Sequence, residues 1–160
     1  MSLHPNVAPF SFLIGTWSGQ GSGYYPTIAG FEYRETVTFS AIPGKPFLRY
    51  DQRTQGAHGP MHTELGFFRP VGEGKLEFTL AQPTGQTELL EGAVAEFDGE
   101  LRFDFEQSTV VNSPTAKEVK STARFYVLNK ERTVLKTRFD MAAAGQQLQQ
   151  HLESHLEKQV

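Results

Sequence analysis

Apolar and polar side chains alternate along most of the chain. Between residues 31 and 39, the apolar residues Phe31, Tyr33, Val37 and Phe39 all occupy odd positions, and Arg34, Thr36 and other polar residues fall between them. Since successive side chains of a β-strand point to opposite faces, this pattern predicts a strand with one buried face. Similar segments recur at residues 12–20, 46–55, 62–69, 75–81, 86–97, 100–107, 117–128 and 132–141.

Short turn signals separate these segments, for example Pro43-Gly44 and Asp98-Gly99. Nine or ten strands joined by short turns predict an antiparallel meander. A meander of this length usually closes into a barrel, because closure removes the exposed strand edges. We therefore expect an all-β, up-and-down antiparallel barrel of the lipocalin-like kind, with residues 1–160 forming one domain.

The tail from residue 142 to 160 follows a different pattern. It is rich in Ala, Gln, Leu, Glu and Lys, which are good helix formers. Leu148, Leu152 and Leu156 fall at i, i+4 and i+8, which would give one apolar stripe on a helix. The barrel is therefore predicted to end in an amphipathic C-terminal α-helix.

Composition narrows the class of protein. Thirteen Phe, five Tyr, one Trp and 15 Gly are typical of a turn-rich β protein with an aromatic interior. A net charge of −3 argues against a general nucleic-acid binder, and the lack of cysteine excludes disulfides, thiolate metal sites and a Cys nucleophile. No apolar run approaches the roughly 18 residues of a membrane span, and the first residues lack a signal-peptide pattern, so a cytoplasmic protein without membrane contact is expected.

Two histidines in the predicted helix suggest a possible metal site. His151 and His155 are spaced i, i+4, so both rings could chelate one metal from the same side of a helix. Zinc would need at least one further ligand, and no HExxH motif is present. The alternative is that His155 is a partly exposed surface residue and His151 a hydrogen-bonded one, and the spacing alone leaves both interpretations open.

A glycine-rich run at residues 15–21 (GTWSGQG) superficially suggests a phosphate-binding loop. Such a loop needs a helix after it within a βαβ unit, whereas Tyr24, Tyr25 and Pro26 follow here. We therefore expect the glycines to permit close strand approach or a bend, with Trp17 in the core at one end of the barrel.

Several short motifs, in matching order and at compatible spacings, resemble the nitrobindin family, whose members are haem-containing β-barrels that look like fatty-acid-binding proteins. The resemblance extends from about Leu3 to Leu156, and residues 13–21 fit the family's GxWxGxG signature. The matching segments are LIGTWSGQG (13–21), YPTI (25–28), GKPFL (44–48), PMHTE (60–64), LAQ (80–82), TAKEV (115–119) and GQQLQQHL (145–152).

This resemblance implies a ten-stranded antiparallel barrel that holds one haem b near an open end. His151 matches the family's iron ligand, whereas His155 falls where the family does not keep histidine. The family often has proline where this chain has Gln147 and Gln150, so proline does not fix the backbone before His151. The other matches line the family's pocket (Met61, His62, Gln82 and Met141) or are placed near the haem edge (Thr27 and Lys117).

The resemblance also implies an activity, the isomerisation of peroxynitrite to nitrate at ferric haem. A single axial His leaves the sixth iron position open for a small molecule. Because Met61 and Met141 offer no hydrogen-bond donor, we expect the ferric state and nitric oxide binding to be favoured over protection of dioxygen.

Two other function classes remain open at this point. A lipocalin-like barrel could carry a fatty acid or another small hydrophobic ligand, and would then place one or two arginines on inward strand positions. The sequence does not orient the candidates, which are Arg34, Arg49, Arg102, Arg124 and Arg138. An interaction module without a cofactor has no positive support in the residues.

Overall fold

Ten antiparallel strands form one closed barrel in a computed structural model, which describes residues 2–160. Each strand pairs with the next along the chain, and β1 also pairs with β10. The antiparallel barrel and all nine strands predicted from alternation are confirmed. The strands are β1 (Gly15–Tyr25), β2 (Ile28–Ala41), β3 (Leu48–Gly56), β4 (Gly59–Gly72), β5 (Lys75–Ala81), β6 (Gln86–Phe97), β7 (Glu100–Asn112), β8 (Val119–Leu128), β9 (Val134–Ala143) and β10 (Gln149–Lys158).

The predicted C-terminal helix is wrong, because its residues form β10. Leu152 and Leu156 are spaced by a multiple of two, so they fit one face of a strand as well as a helical stripe, whereas Leu148 precedes β10 and is exposed. As a strand, this segment supplies hydrogen-bonding partners to both β1 and β9, which would otherwise be open edges. That tertiary pairing outweighs the helix propensity of the residues.

The one helix within residues 2–160 is a short 3₁₀ helix, Ala8–Leu13, which covers one end of the barrel. Phe10 packs against Phe68 and Phe103, with ring centroids 5.5 and 6.2 Å apart. Trp17 is fully buried below this helix, and its indole Nε1 donates a hydrogen bond to the Leu13 carbonyl oxygen at 2.9 Å. This end is therefore closed, with Trp17 in the predicted core position. No helix among the described residues is long and apolar enough to span a bilayer.

The glycines of β1 allow its neighbours to approach closely. A Cβ atom added at Gly19 would lie 1.9 Å from the His155 carbonyl oxygen in β10, and one at Gly21 would lie 2.4 Å from the ring of Tyr33 in β2. These contacts are far shorter than van der Waals distances. The glycine-rich run is therefore accounted for by the packing of β1 at the seam where the barrel closes.

The Gly19→Ala substitution is expected to destabilise the barrel by about 1–3 kcal/mol, because the added carbon meets backbone that cannot move without opening the β1–β10 pairing. Urea unfolding measures this difference. The matched control is Gly30→Ala in β2, where the nearest atom is 3.7 Å away. Both changes reduce the entropy of the unfolded chain similarly, so equal stabilities of the two variants would contradict the steric argument.

Candidate functional site

The end of the barrel opposite the 3₁₀ helix contains a cavity of about 380 Å³. Every site residue predicted from the sequence lines it. These residues are Thr27, Met61, His62, Gln82, Lys117, Met141 and His151. Counted around the ring, β5 is five strands from β10 in both directions, so these two strands face each other across the barrel. His62 lies on β4, beside β5, and Gln82 follows β5, so His151 faces the wall that carries both residues.

A β-bulge turns His151 into the cavity. Strand β10 pairs with β9 up to Gln150 and again from Leu152, so His151 is an extra residue without a ladder partner on β9. In regular alternation His151 would share the outward face with Glu153 and His155, which are both exposed. Bulges commonly re-aim side chains next to active sites, and here the bulge sends His151 inward and leaves His155 outside.

Hydrogen bonding and packing hold the His151 ring in place. Its Nδ1 lies 3.0 Å from the carbonyl oxygen of Tyr24, an arrangement in which Nδ1–H donates and Nε2 keeps its lone pair. The ring makes an edge contact with Tyr25 at 5.2 Å between centroids, and Phe31 and Phe139 each lie 6.2 Å away. An imidazole oriented through one nitrogen can bind a metal with the other.

The two-histidine metal site is not formed. The i, i+4 chelation depended on a helix, and in β10 the bulge places His151 and His155 on different sides of the barrel wall. Within residues 2–160, no group of three or more His, Cys, Asp or Glu side chains is arranged to hold a metal ion. A metal whose other ligands belong to a cofactor, such as haem iron, needs only a single His from the protein.

The remaining predicted residues divide between the mouth and the interior. Thr27, in the turn between β1 and β2, and Met61 and Lys117 are exposed at the mouth, whereas His62 and Gln82 are partly buried. His62 Nε2 lies 3.5 Å from a carboxylate oxygen of Glu64, which connects the wall to deeper charged groups. Met141 lines the cavity from β9.

The floor of the cavity is a network of ion-paired side chains, which the sequence did not predict. Arg124 Nη1 and Nη2 donate to the two oxygens of Glu64 at 2.6 and 3.0 Å. Its Nε and Nη2 also donate to Glu88, at 3.2 and 2.6 Å. Tyr50 adds a hydrogen bond to Glu64 at 3.0 Å, and Thr122 adds one to Glu88 at 2.6 Å. All five side chains are buried or line the cavity floor.

Electrostatics favour the charged forms of Glu64 and Arg124. Burial opposes ionisation of Glu64, but the charge and hydrogen bonds of Arg124, together with nearby His62, outweigh burial and hold the pKa of Glu64 well below its usual range. Burial likewise opposes the charge on Arg124, and the two carboxylates raise its pKa above the usual value. Nearby Glu35 behaves differently: burial raises its pKa, and hydrogen bonds from Ser154 and Gln52 offset only part of that effect.

The strand pattern carried a signal for this network. Arg124 lies two residues before Tyr126, and Glu88 two residues before Leu90, so both charged residues share the inward face with core residues. Alternation therefore indicates charged groups inside the barrel. It does not indicate which of them meet, since Arg124 lies 60 residues from Glu64 along the chain.

The Arg124→Met substitution should lower the free energy of unfolding by about 3–5 kcal/mol, because it leaves two carboxylates buried without their cation. Urea unfolding at neutral pH tests this expectation. Arg69→Met removes the exposed Arg69–Glu77 pair from the outside of the barrel and should cost about 1 kcal/mol or less. Similar losses in the two variants would show that the buried network does not depend on Arg124.

Comparison with known proteins adds four findings to this geometry. A family model described as "THAP4-like, heme-binding beta-barrel domain" matches residues 6–158. A protein of Nocardia farcinica named "Peroxynitrite isomerase" is 42% identical over 160 residues, covering 99% of this chain and 94% of that protein. "Peroxynitrite isomerase 2" of Mycobacterium avium is 42% identical over 159 residues, covering 98% and 97%. The crystal structure of Rv2717c from M. tuberculosis matches with a TM-score of 0.93 at 38% identity, covering 99% of this chain and all of that one.

Proposed function

Because the chain belongs to the family of THAP4-like, haem-binding β-barrel domains, the nitrobindin family, we propose that it binds one haem b and isomerises peroxynitrite to nitrate. Relatives that carry the name peroxynitrite isomerase match nearly the whole chain at 42% identity, which supports the activity. The observation that carries the proposal for this chain is His151, an imidazole turned into the cavity by a bulge and oriented through Nδ1.

The residues around the cavity fit a haem. His151 Nε2 is the iron ligand in this proposal, and the apolar side chains of Phe31, Phe139 and Met141 offer a surface for the porphyrin. With haem bound, Lys117 at the mouth would supply a cation and Thr27 a hydroxyl group for its propionates. The carboxyl groups of the floor would repel the propionates, since like charges repel strongly in a low-dielectric interior.

Once bound, ferric haem supplies the iron centre at which the O–O bond of peroxynitrite can rearrange. The chain provides the ligand, the walls and the access to this centre. With His151 as ligand, the wall that carries His62 and Gln82 would face the substrate. The enclosing walls of the cavity would hold the substrate in place and limit its escape, which favours catalysis by proximity. The same open side would admit nitric oxide, which we propose as a second ligand.

The fatty-acid carrier alternative finds less support. A carrier would need a buried arginine free to meet the ligand's carboxylate. Arg124 lines the cavity, but Glu64 and Glu88 already occupy its guanidinium. Arg138 also lines the cavity and is held by both oxygens of Asp140 at 2.8 Å. The buried arginine is therefore fully paired, and Arg138, whose side chain is about half exposed, is already paired with Asp140.

The His151→Ala variant should lose stoichiometric haem binding, with the Soret band of added hemin becoming weak and broad, because the cavity then offers no imidazole to the iron. Circular dichroism should still report a folded barrel, since His151 lies at an irregular position outside the aromatic core. His155→Ala is the matched control on the outward face of β10 and should bind haem normally. The opposite pattern would transfer the ligand role to His155.

Ferric holoprotein should accelerate peroxynitrite decay and raise the yield of nitrate, whereas apoprotein should not. The chain has no cysteine, and its methionines would be consumed by oxidation rather than turn over. Stopped-flow decay and nitrate assays measure both effects. Free tyrosine added to the mixture should be nitrated less with holoprotein than with apoprotein or buffer. A decay rate that does not depend on haem content would reject the isomerase and leave a haem-binding barrel.

A further inference from the structure

The buried floor of the cavity contains more acidic than basic side chains. Arg124 contributes one cation, and Glu64 and Glu88 contribute two carboxylates, all almost completely buried. Buried charges are expensive, and a second carboxylate beside one arginine is an excess that packing alone does not require. The second buried carboxyl group is therefore better explained by function than by packing.

Hydrogen-bond donors surround the Glu88 carboxyl group. Its oxygens accept hydrogen bonds from Arg124 Nε and Nη2, from the Thr122 hydroxyl and from the Gln82 amide. Glu64 accepts hydrogen bonds from Arg124 and the Tyr50 hydroxyl, and His62 Nε2 lies 3.5 Å from one of its oxygens. Both carboxyl groups are thus acceptors in a network of donors at the cavity floor.

The network lies close to the proposed haem site. Glu64, Glu88 and Arg124 line the same cavity as His151. Phe139 connects the two regions, because the Arg124 guanidinium lies 4.7 Å from its ring centroid on one side and the His151 ring lies 6.2 Å from it. Because Glu64, Glu88 and Arg124 are almost completely buried, solvent screens their charges poorly.

We propose that the buried pair Glu64 and Glu88, acting against the single cation of Arg124, sets the redox preference of the site and holds bound haem in its ferric state. This inference rests on the proposed haem function. Ferric haem carries one more positive charge than ferrous haem, and a nearby net negative charge of the protein stabilises the more positive form. Glu64 and Glu88 are positioning residues in this role, since they act through the electrostatic field of the cavity.

The test is a spectroelectrochemical titration of haem-loaded wild type and variants. Glu88→Gln removes one negative charge and leaves the Arg124–Glu64 pair intact. At a fixed potential, the ferric-to-ferrous ratio should fall about tenfold, which corresponds to a rise of about 59 mV in midpoint potential for a one-electron couple. Glu88→Asp keeps the charge and should stay within about threefold of wild type by the same electrostatic argument. Glu91→Gln makes the same charge change on the exposed face of β6 and should leave the ratio unchanged.

Two further variants complete the design. Glu64→Gln makes the same charge change at the other carboxylate and should shift the potential in the same direction. Glu35→Gln combined with Glu88→Gln prevents Glu35 from ionising to restore the lost charge, so its shift should equal or exceed that of Glu88→Gln alone.

The possible outcomes separate the two proposals. Wild type that does not take up hemin overturns the proposed function. Wild type and both glutamine variants that bind hemin with equal potentials overturn only the redox role. If both glutamine variants lose haem while Glu88→Asp retains it, the network serves to build the site rather than to tune it, and the inference is also wrong.

Discussion

The pairing of β1 with β10 is the interaction on which the rest of this structure depends. It joins the first and last strands, so it satisfies backbone groups that would otherwise form two open edges. The fit is close: Gly19 leaves no room for a Cβ atom beside the His155 carbonyl oxygen. Closure also places β10 opposite β5, and the cavity exists because these two walls face each other around a complete ring.

The candidate ligand depends on a local departure from that regular pairing. A perfectly alternating β10 would send His151 outward with His155, and the bulge after Gln150 reverses its direction. The hydrogen bond from Nδ1 to the Tyr24 carbonyl oxygen and three aromatic neighbours orient the ring. Regular strand pairing therefore forms the barrel wall, and the one irregular residue places the candidate ligand inside the cavity.

The barrel interior is aromatic at one end and charged around the cavity at the other. Phe68, Phe78 and Phe105 fill the end below the 3₁₀ helix, and the Arg124 network separates this aromatic core from the cavity. The network has a structural cost, because its charges must be buried, and its hydrogen bonds offset much of that cost. Its excess negative charge gives the cavity an electrostatic bias, which suits a cationic iron centre better than a ligand with a buried carboxylate.

Alternation by itself determined nine strands and the antiparallel barrel, because a half-buried strand must repeat every two residues and short turns leave few other topologies. The family motifs brought the candidate site residues to notice, and the fold places all of them around one cavity. Only the tertiary structure decided that the tail forms a strand. Leucines four residues apart suit a helix and a strand equally, and pairing with the otherwise open edges of β1 and β9 stabilises the strand. The tertiary structure also decided the direction of His151 and the partners of Arg124, because a bulge and contacts 36 and 60 residues apart arise from strand register that local sequence does not encode.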